Sequence, residues 1–339
     1  MNGAPDQSAG HSPVRPKNSV RRTSTIDTCW PEGQSGPMNM IGRARDVYHK
    51  SDLKDEVIEV NSCEITASPQ RQILALKTDP DLRETEKLVG VRAGGQSRAA
   101  ILEHFTEDQR TTPLHLLLDD FAGASLVAGW AWSRWTDGWD TNSGDNVGQA
   151  ERKVRKMEGI CAGFRPGASS LNPDGSPRSD VQSSAEVGSL INPDDPHGWH
   201  ELPAQDGVGM RRARWIDVWE DGSTIKIKAG FQDSSTEPKG GRRAVHEYWI
   251  KAEARREDMV LTKVTADANI LPYRECPAAA LNTDRIIGLS LTQMRREVIA
   301  KLPGTLGCTH LNDVLRGLED VPTLIRKLEE RKQWSGKLY

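Results

Sequence analysis

No stretch of this sequence approaches the roughly 20 consecutive apolar residues that span a bilayer, and its N-terminus lacks the apolar core of a secretory signal. Neither a membrane nor an export route is therefore expected. Charge of one sign is missing too. Lys and Arg number 45 against 48 Asp and Glu, a formal net charge of -3, so the basic footprint of a nucleic-acid binder is absent. Cysteine is sparse and odd in number: Cys29, Cys63, Cys161, Cys276 and Cys308 lie far apart. That pattern predicts reduced thiols in the cytoplasm rather than a disulfide framework. Also absent are a Gly-rich phosphate loop, a dinucleotide fingerprint, a Gly-x-Ser-x-Gly elbow and a His-Glu-x-x-His helix, which removes nucleotide cofactors and the common hydrolase machineries. Phe and Tyr are scarce, four each, beside ten Trp. Indole has one donor and a large flat face, so Trp serves either as core filler or as the wall of an aromatic or apolar ligand site.

The 339 residues exceed one typical domain. Residues 1–40, rich in Ser, Pro, Gly, Asn and Gln, read as a disordered or extended arm in which Arg15, Lys17, Arg21 and Arg22 are solvated. Residues 41–135 form an N-terminal α+β half. Its expected strands are Val57–Val60, Cys63–Thr66 and Gln72–Leu76, followed by a helix from Ser97 to Phe105. Leu114–Leu118 and Ser125–Trp132 read as a strand pair joined by Asp119–Gly123. Residues 136–208 are a long connection dominated by turn formers, and they carry Glu158-Gly159-Ile160-Cys161 and His197-Gly198-Trp199-His200.

Residues 209–339 alternate more clearly. Strands at Arg214–Trp219, Thr224–Phe231, Ala244–Ala252 and Met259–Ala266 predict a four-stranded antiparallel meander. Helices follow at about 276–281, 291–301 and 310–318, and a last one starts at Pro322. Gly42–Val47 can be laid against Arg212–Val218, and Gln70–Leu102 against His246–Ala280. An internal duplication would then give two half-barrels facing each other across a site. The expected fold class is α+β, antiparallel half-barrels with a C-terminal helical layer.

Four groups of residues can carry chemistry. In Gly307-Cys308-Thr309-His310 a turn delivers a thiol and an imidazole to a helix start capped by Thr309, where the helix dipole would lower the pKa of Cys308. This is a reactive pair, half of a metal site, or a buried Cys beside a capping His. In His246-Glu247-Tyr248 the strand period puts His246 and Tyr248 on one face, an acid/base pair if that face looks inward. In Tyr273-Arg274-Glu275-Cys276-Pro277 a corner puts Glu275 and Cys276 near a helix start. Trp199 and His200 belong to a loop that could cover a pocket. Asp119-Asp120 reads as a hairpin tip rather than a carboxylate pair with split pKa values.

Residues 210–321 resemble a bacterial domain-of-unknown-function family, number 2889. The resemblance rests on Met210-Arg211-Arg212-Ala213-Arg214, His246-Glu247-Tyr248, Leu271–Pro277 and Gly307–Asp313. That family has no agreed mechanism, and an association of this subgroup with catabolism of lignin-derived aromatic compounds supplies only a direction. The expected function is a cofactor-independent lyase using general acid–base chemistry on an aromatic dimer of phenylcoumaran type, with loss of formaldehyde. His246 or His310 would be the base, Tyr248 or Tyr273 the acid and Cys308 a further catalytic group. Trp199, His200, Trp215, Trp249 and Glu275 would bind the substrate. The alternatives are a zinc-dependent hydrolase or lyase on Cys276, Cys308, His310 and His246, and a non-catalytic binding or assembly protein. The expected partner is a small aromatic molecule, with a homo-oligomer compatible with either enzyme.

Overall fold

A computed structural model of the chain describes residues 4–50, 55–136 and 156–336; part of the expected 136–208 connection lies outside them. One antiparallel sheet organises the fold. Its strands run β1 (Ser19–Cys29), β2 (Met38–His49), β3 (Asp55–Ala67), β4 (Ile73–Asp79), β5 (Ala185–Val187), β6 (Gly209–Asp221), β7 (Thr224–Thr236), β8 (Arg242–Arg255) and β9 (Leu261–Ile270). The order is β4-β3-β2-β1-β6-β7-β8, with β9 and the short β5 both on the far edge of β8. The C-terminal meander is therefore as the alternation predicts, and the class is α+β. The half-barrels do not face each other. They are fused edge to edge through β1 and β6 into one open sheet.

This corrects the reading of the first forty residues. β1 is a central strand, and its Arg21 and Arg22 are fully buried rather than solvated. Three Thr with Val20 and Ile26 give it β-branched side chains at five of its other positions, the composition of a strand. Only the residues before it behave as an arm. Asp6 bridges Ile270, Ser12 donates to the Leu190 carbonyl, and Arg15 pairs with Asp195.

The expected strand pair at 114–132 is instead α2 (Pro113–Val127) and a 3-10 turn over Ala128–Arg134. Thr112 caps α2 by accepting from the His115 N–H, and Pro113 sits in its first turn. Asp119 and Asp120 are mid-helix, not at a hairpin tip. With α1 (Gly95–His104), α3 (Met294–Lys301), α4 (Thr309–Arg316) and α5 (Val321–Gly336) the chain completes a helical layer over one sheet face. None of the helices among the described residues is long and apolar enough to cross a membrane.

Helices and sheet meet through buried ion pairs as well as apolar contacts. Arg22 reaches Asp320, Arg212 reaches Asp313, and Arg214 reaches Asp120. Arg316 pairs with Asp119. Side chains of β6 alternate strictly: Arg212 and Arg214 face the helices, while Arg211, Ala213 and Trp215 face the opposite side. The internal relation is also clearer than the expected one, and shifted by a strand. Val20-Arg21-Arg22-Thr23-Ser24-Thr25-Ile26-Asp27 of β1 lies antiparallel to Met210-Arg211-Arg212-Ala213-Arg214-Trp215-Ile216-Asp217 of β6, so that Arg21 opposes Asp217 and Asp27 opposes Arg211. Both cross-strand pairs are closed ion pairs at 2.6 Å.

Candidate functional site

Three segments converge on the helix-facing side of β7 and β8. α4 begins with Cys308, not Thr309, as its N-cap, and its first turn aims His310 at Asp233 of β7. The imidazoles of His310 and His246 stack with centroids 3.5 Å apart. Nδ1 of His246 lies 3.2 Å from Asp233 Oδ2, and Nε2 of His310 lies 3.9 Å from the same oxygen. Arg212 holds that carboxylate from the other side, its Nε 2.9 Å from Oδ1. Cys308 Sγ is 3.9 Å from His310 Nδ1.

Beside this group lies a cluster of thiols. The Ala162 N–H donates to the Gly307 carbonyl, which brings Cys161 to the Cys308 turn. Gly163 has no room for a side chain, because a Cβ there would stand 2.6 Å from Cys276 Sγ. Tyr248 points into the same cluster, fully buried, with its hydroxyl against the Cys308 thiol. Tyr273 packs on Phe164 at 5.2 Å. The turn at 307–310, the His246 strand and the Tyr273–Cys276 corner thus meet in one buried centre.

Burial dominates the electrostatics. It pushes Cys161 up to about 11, drives Cys276 well above the ordinary thiol value and raises Cys308. The expected lowering of Cys308 by the helix dipole is overturned: hydrogen bonds from the α4 backbone oppose the desolvation but do not outweigh it. These groups are thiols near neutral pH. Burial likewise lowers His246, and lowers His310 further because it also faces His246. For Asp233 burial acts upward, but Arg212 and His246 hold its carboxyl well below the usual range. Tyr248 is raised well above the ordinary phenol, first by burial and then by Cys308. The centre therefore holds one carboxylate, two neutral imidazoles and un-ionised thiols and phenol.

The expected binding residues fall elsewhere. Trp199, Trp215 and Trp249 do come together, around a small cavity, about water-sized, that also touches Ser12, Gln232 and Glu247. That cavity is on the opposite face of the sheet, so these indoles cannot flank the His246 imidazole. His200 lies on that face too, bonded to the hydroxyls of Thr23 and Thr25 at 2.8 Å each. Glu275 accepts from the backbone and hydroxyl of Ser169, which fastens the 165–178 loop to the corner rather than reaching the centre. Asp233 was not among the expected residues. Its cue is a carboxylate following Phe231 at strand spacing, on the face that otherwise buries Ile225, Ile227 and Ala229.

A family model described as "Protein of unknown function (DUF2889)" matches residues 210–324, as the resemblance implied. No curated protein and no solved structure matches the chain.

Proposed function

We propose that the protein is a lyase acting by proton transfer on a small aromatic molecule, with the Asp233–His246–His310 centre as its reacting site. One observation carries the reading: His310 Nε2 is buried and without a hydrogen-bond partner, in the same centre as a buried Tyr248 hydroxyl that is held by the Cys308 thiol. Buried polar atoms are seldom left unpaired, and those that are call for an explanation such as a ligand. Phe231, stacked near His310, and the Phe164–Tyr273 pair supply flat apolar surface at this centre.

For a phenylcoumaran-type dimer the step balances as follows. The centre removes the proton of the side-chain hydroxymethyl group, whose C–O becomes the C=O of formaldehyde as the adjacent C–C bond breaks. The released electron pair forms a C=C bond and expels the aryl-ether oxygen, which is protonated to a phenol. In this reading the unpaired Nε2 of His310 takes the first proton and the Tyr248 phenol supplies the second. Asp233 orients His246 against that imidazole.

The test is release of formaldehyde and of an aromatic alkene from such a dimer by the purified protein. Loss of turnover by at least roughly 100-fold is expected in Tyr248→Phe, within the range of one acid–base group. A wild-type protein that consumes no such dimer, or a folded Tyr248→Phe protein with full activity, overturns the assignment.

A further inference from the structure

The edge-to-edge relation between the two meanders equates more than β1 and β6. Opposite Arg22 in the next strand stands Asp46, and opposite Arg212 stands Asp233. One strand further, Asp46 faces Glu59 and Asp233 faces His246. In both halves the register slips directly after that aspartate, between Asp46 and Val47 and between Asp233 and Ser234. A helix carboxylate meets each arginine, Asp320 on Arg22 and Asp313 on Arg212. The two arrangements are copies.

In the N-terminal copy the seat between the strand residues is filled by a cation. Lys327 Nζ lies 2.5 Å from Asp46 Oδ2 and 2.5 Å from Glu59 Oε2. In the C-terminal copy no ammonium among the described residues takes this place. Glu59 is replaced by His246, and the helical layer contributes His310 instead. The ligand atoms of Asp233, His246 and His310 lie within 4.8 Å of one another, and these are the only such group of three found among the described residues.

We infer that this seat binds a divalent first-row metal ion, of zinc type, through Asp233, His246 and His310. Two imidazoles and one carboxylate are a donor set for such ions. Tetrahedral bonds of about 2.1 Å set ligand atoms about 3.4 Å apart; the present separations from Asp233 Oδ2 are 3.2 and 3.9 Å, and the two stacked rings turn apart to aim both nitrogens at one ion. Arg212 fixes the carboxylate as an outer-shell partner. The ion deepens the proposed reaction, because positive charge beside an alcohol oxygen assists loss of its proton as an imidazole base would. Only that use rests on the proposed function; the binding does not.

The experiment is titration of chelator-stripped, full-length protein with Co²⁺ and Zn²⁺, without substrate, by calorimetry and visible absorption. Wild type is expected to take a single ion, and the Co²⁺ spectrum to show d–d bands without a thiolate charge-transfer band. His310→Gln and His246→Gln, each checked for fold by circular dichroism, are expected to weaken binding beyond the roughly 10–100-fold that loss of an outer-shell partner costs. Absence of binding by wild type, a thiolate band, or undiminished binding in both folded variants overturns the site. Turnover by ion-free protein would separately return the proton to His310 alone.

Discussion

A histidine buried without a charge partner loses stability in acid, and His200 is one. Burial first, then Arg45, Arg43 and Arg211, push its pKa down to about 3. Unfolded, it would titrate near 6.5. Between those values the unfolded chain binds a proton that the folded chain refuses, so stability is complete above about pH 6.5 and falls as the pH drops towards 3, by up to about 1.4 kcal/mol per unit. Urea midpoints measured from pH 7.5 to 4 should decline accordingly, and His200→Gln should flatten the decline. His115, also held near 3, will keep part of the slope. An unchanged slope in the variant would show that His200 is protonated in the folded protein. Site residues differ in how far the sequence discloses them. His246 and Tyr248 follow from the strand period, and Cys308 and His310 from the helix start. Asp233 does not, because its role comes from Arg212, which opposes it in the β6–β7 ladder, and from His310, on a distant helix. A register is needed to find it.

At the scale of elements, α2 is the test of how tightly helix and sheet interlock. Gly123 faces the Arg212 guanidinium, and a Cβ there would lie 1.8 Å from Nη1 and 2.5 Å from Asp313 Oδ2. Arg212 is fully buried between Asp233 and Asp313 and has nowhere to retreat. Gly123→Ala should therefore cost about 1–3 kcal/mol, the usual range for overpacking. Gly129→Ala, with nothing within 4 Å of the added carbon, should be near neutral. Equal urea midpoints for the two variants would mean that Arg212 can move without loss. The same helix explains the misread strand pair. Every residue of α2 except Leu126 is buried, so no polar face marks a 3.6-residue period. Its apolar run then looks like a strand buried on both sides. The cap at Thr112 and the proline at Pro113 did carry the signal. β1 was hidden in the other direction, because two adjacent arginines read as solvent-exposed when their partners, Asp217 and Asp46, lie elsewhere in the chain.

For the whole molecule the decisive feature is the seam between β1 and β6. The sheet runs through it without a break, and the Arg21–Asp217 and Arg211–Asp27 pairs close it symmetrically. The two pairs are not equally placed. Asp217 is completely buried, and its carboxylate takes both Nε and Nη2 of Arg21, whereas Asp27 keeps 7% exposure and has Arg43 as a second partner. Removing one member of a fully buried pair leaves an uncompensated charge and costs about 3–5 kcal/mol. Each arginine keeps a carbonyl partner, Pro13 for Arg21 and Pro203 for Arg211, so the difference lies in burial: Asp217→Asn should destabilise more than Asp27→Asn, since Arg211 sits nearer to water. Because the seam joins the meanders, either substitution should move one cooperative transition as a unit, with far-UV circular dichroism and Trp fluorescence coinciding in urea. A melt that splits into two phases in Asp217→Asn would mean that each meander holds its own fold. The paired sites would then be two neighbouring centres, not copies tied across a shared strand pair.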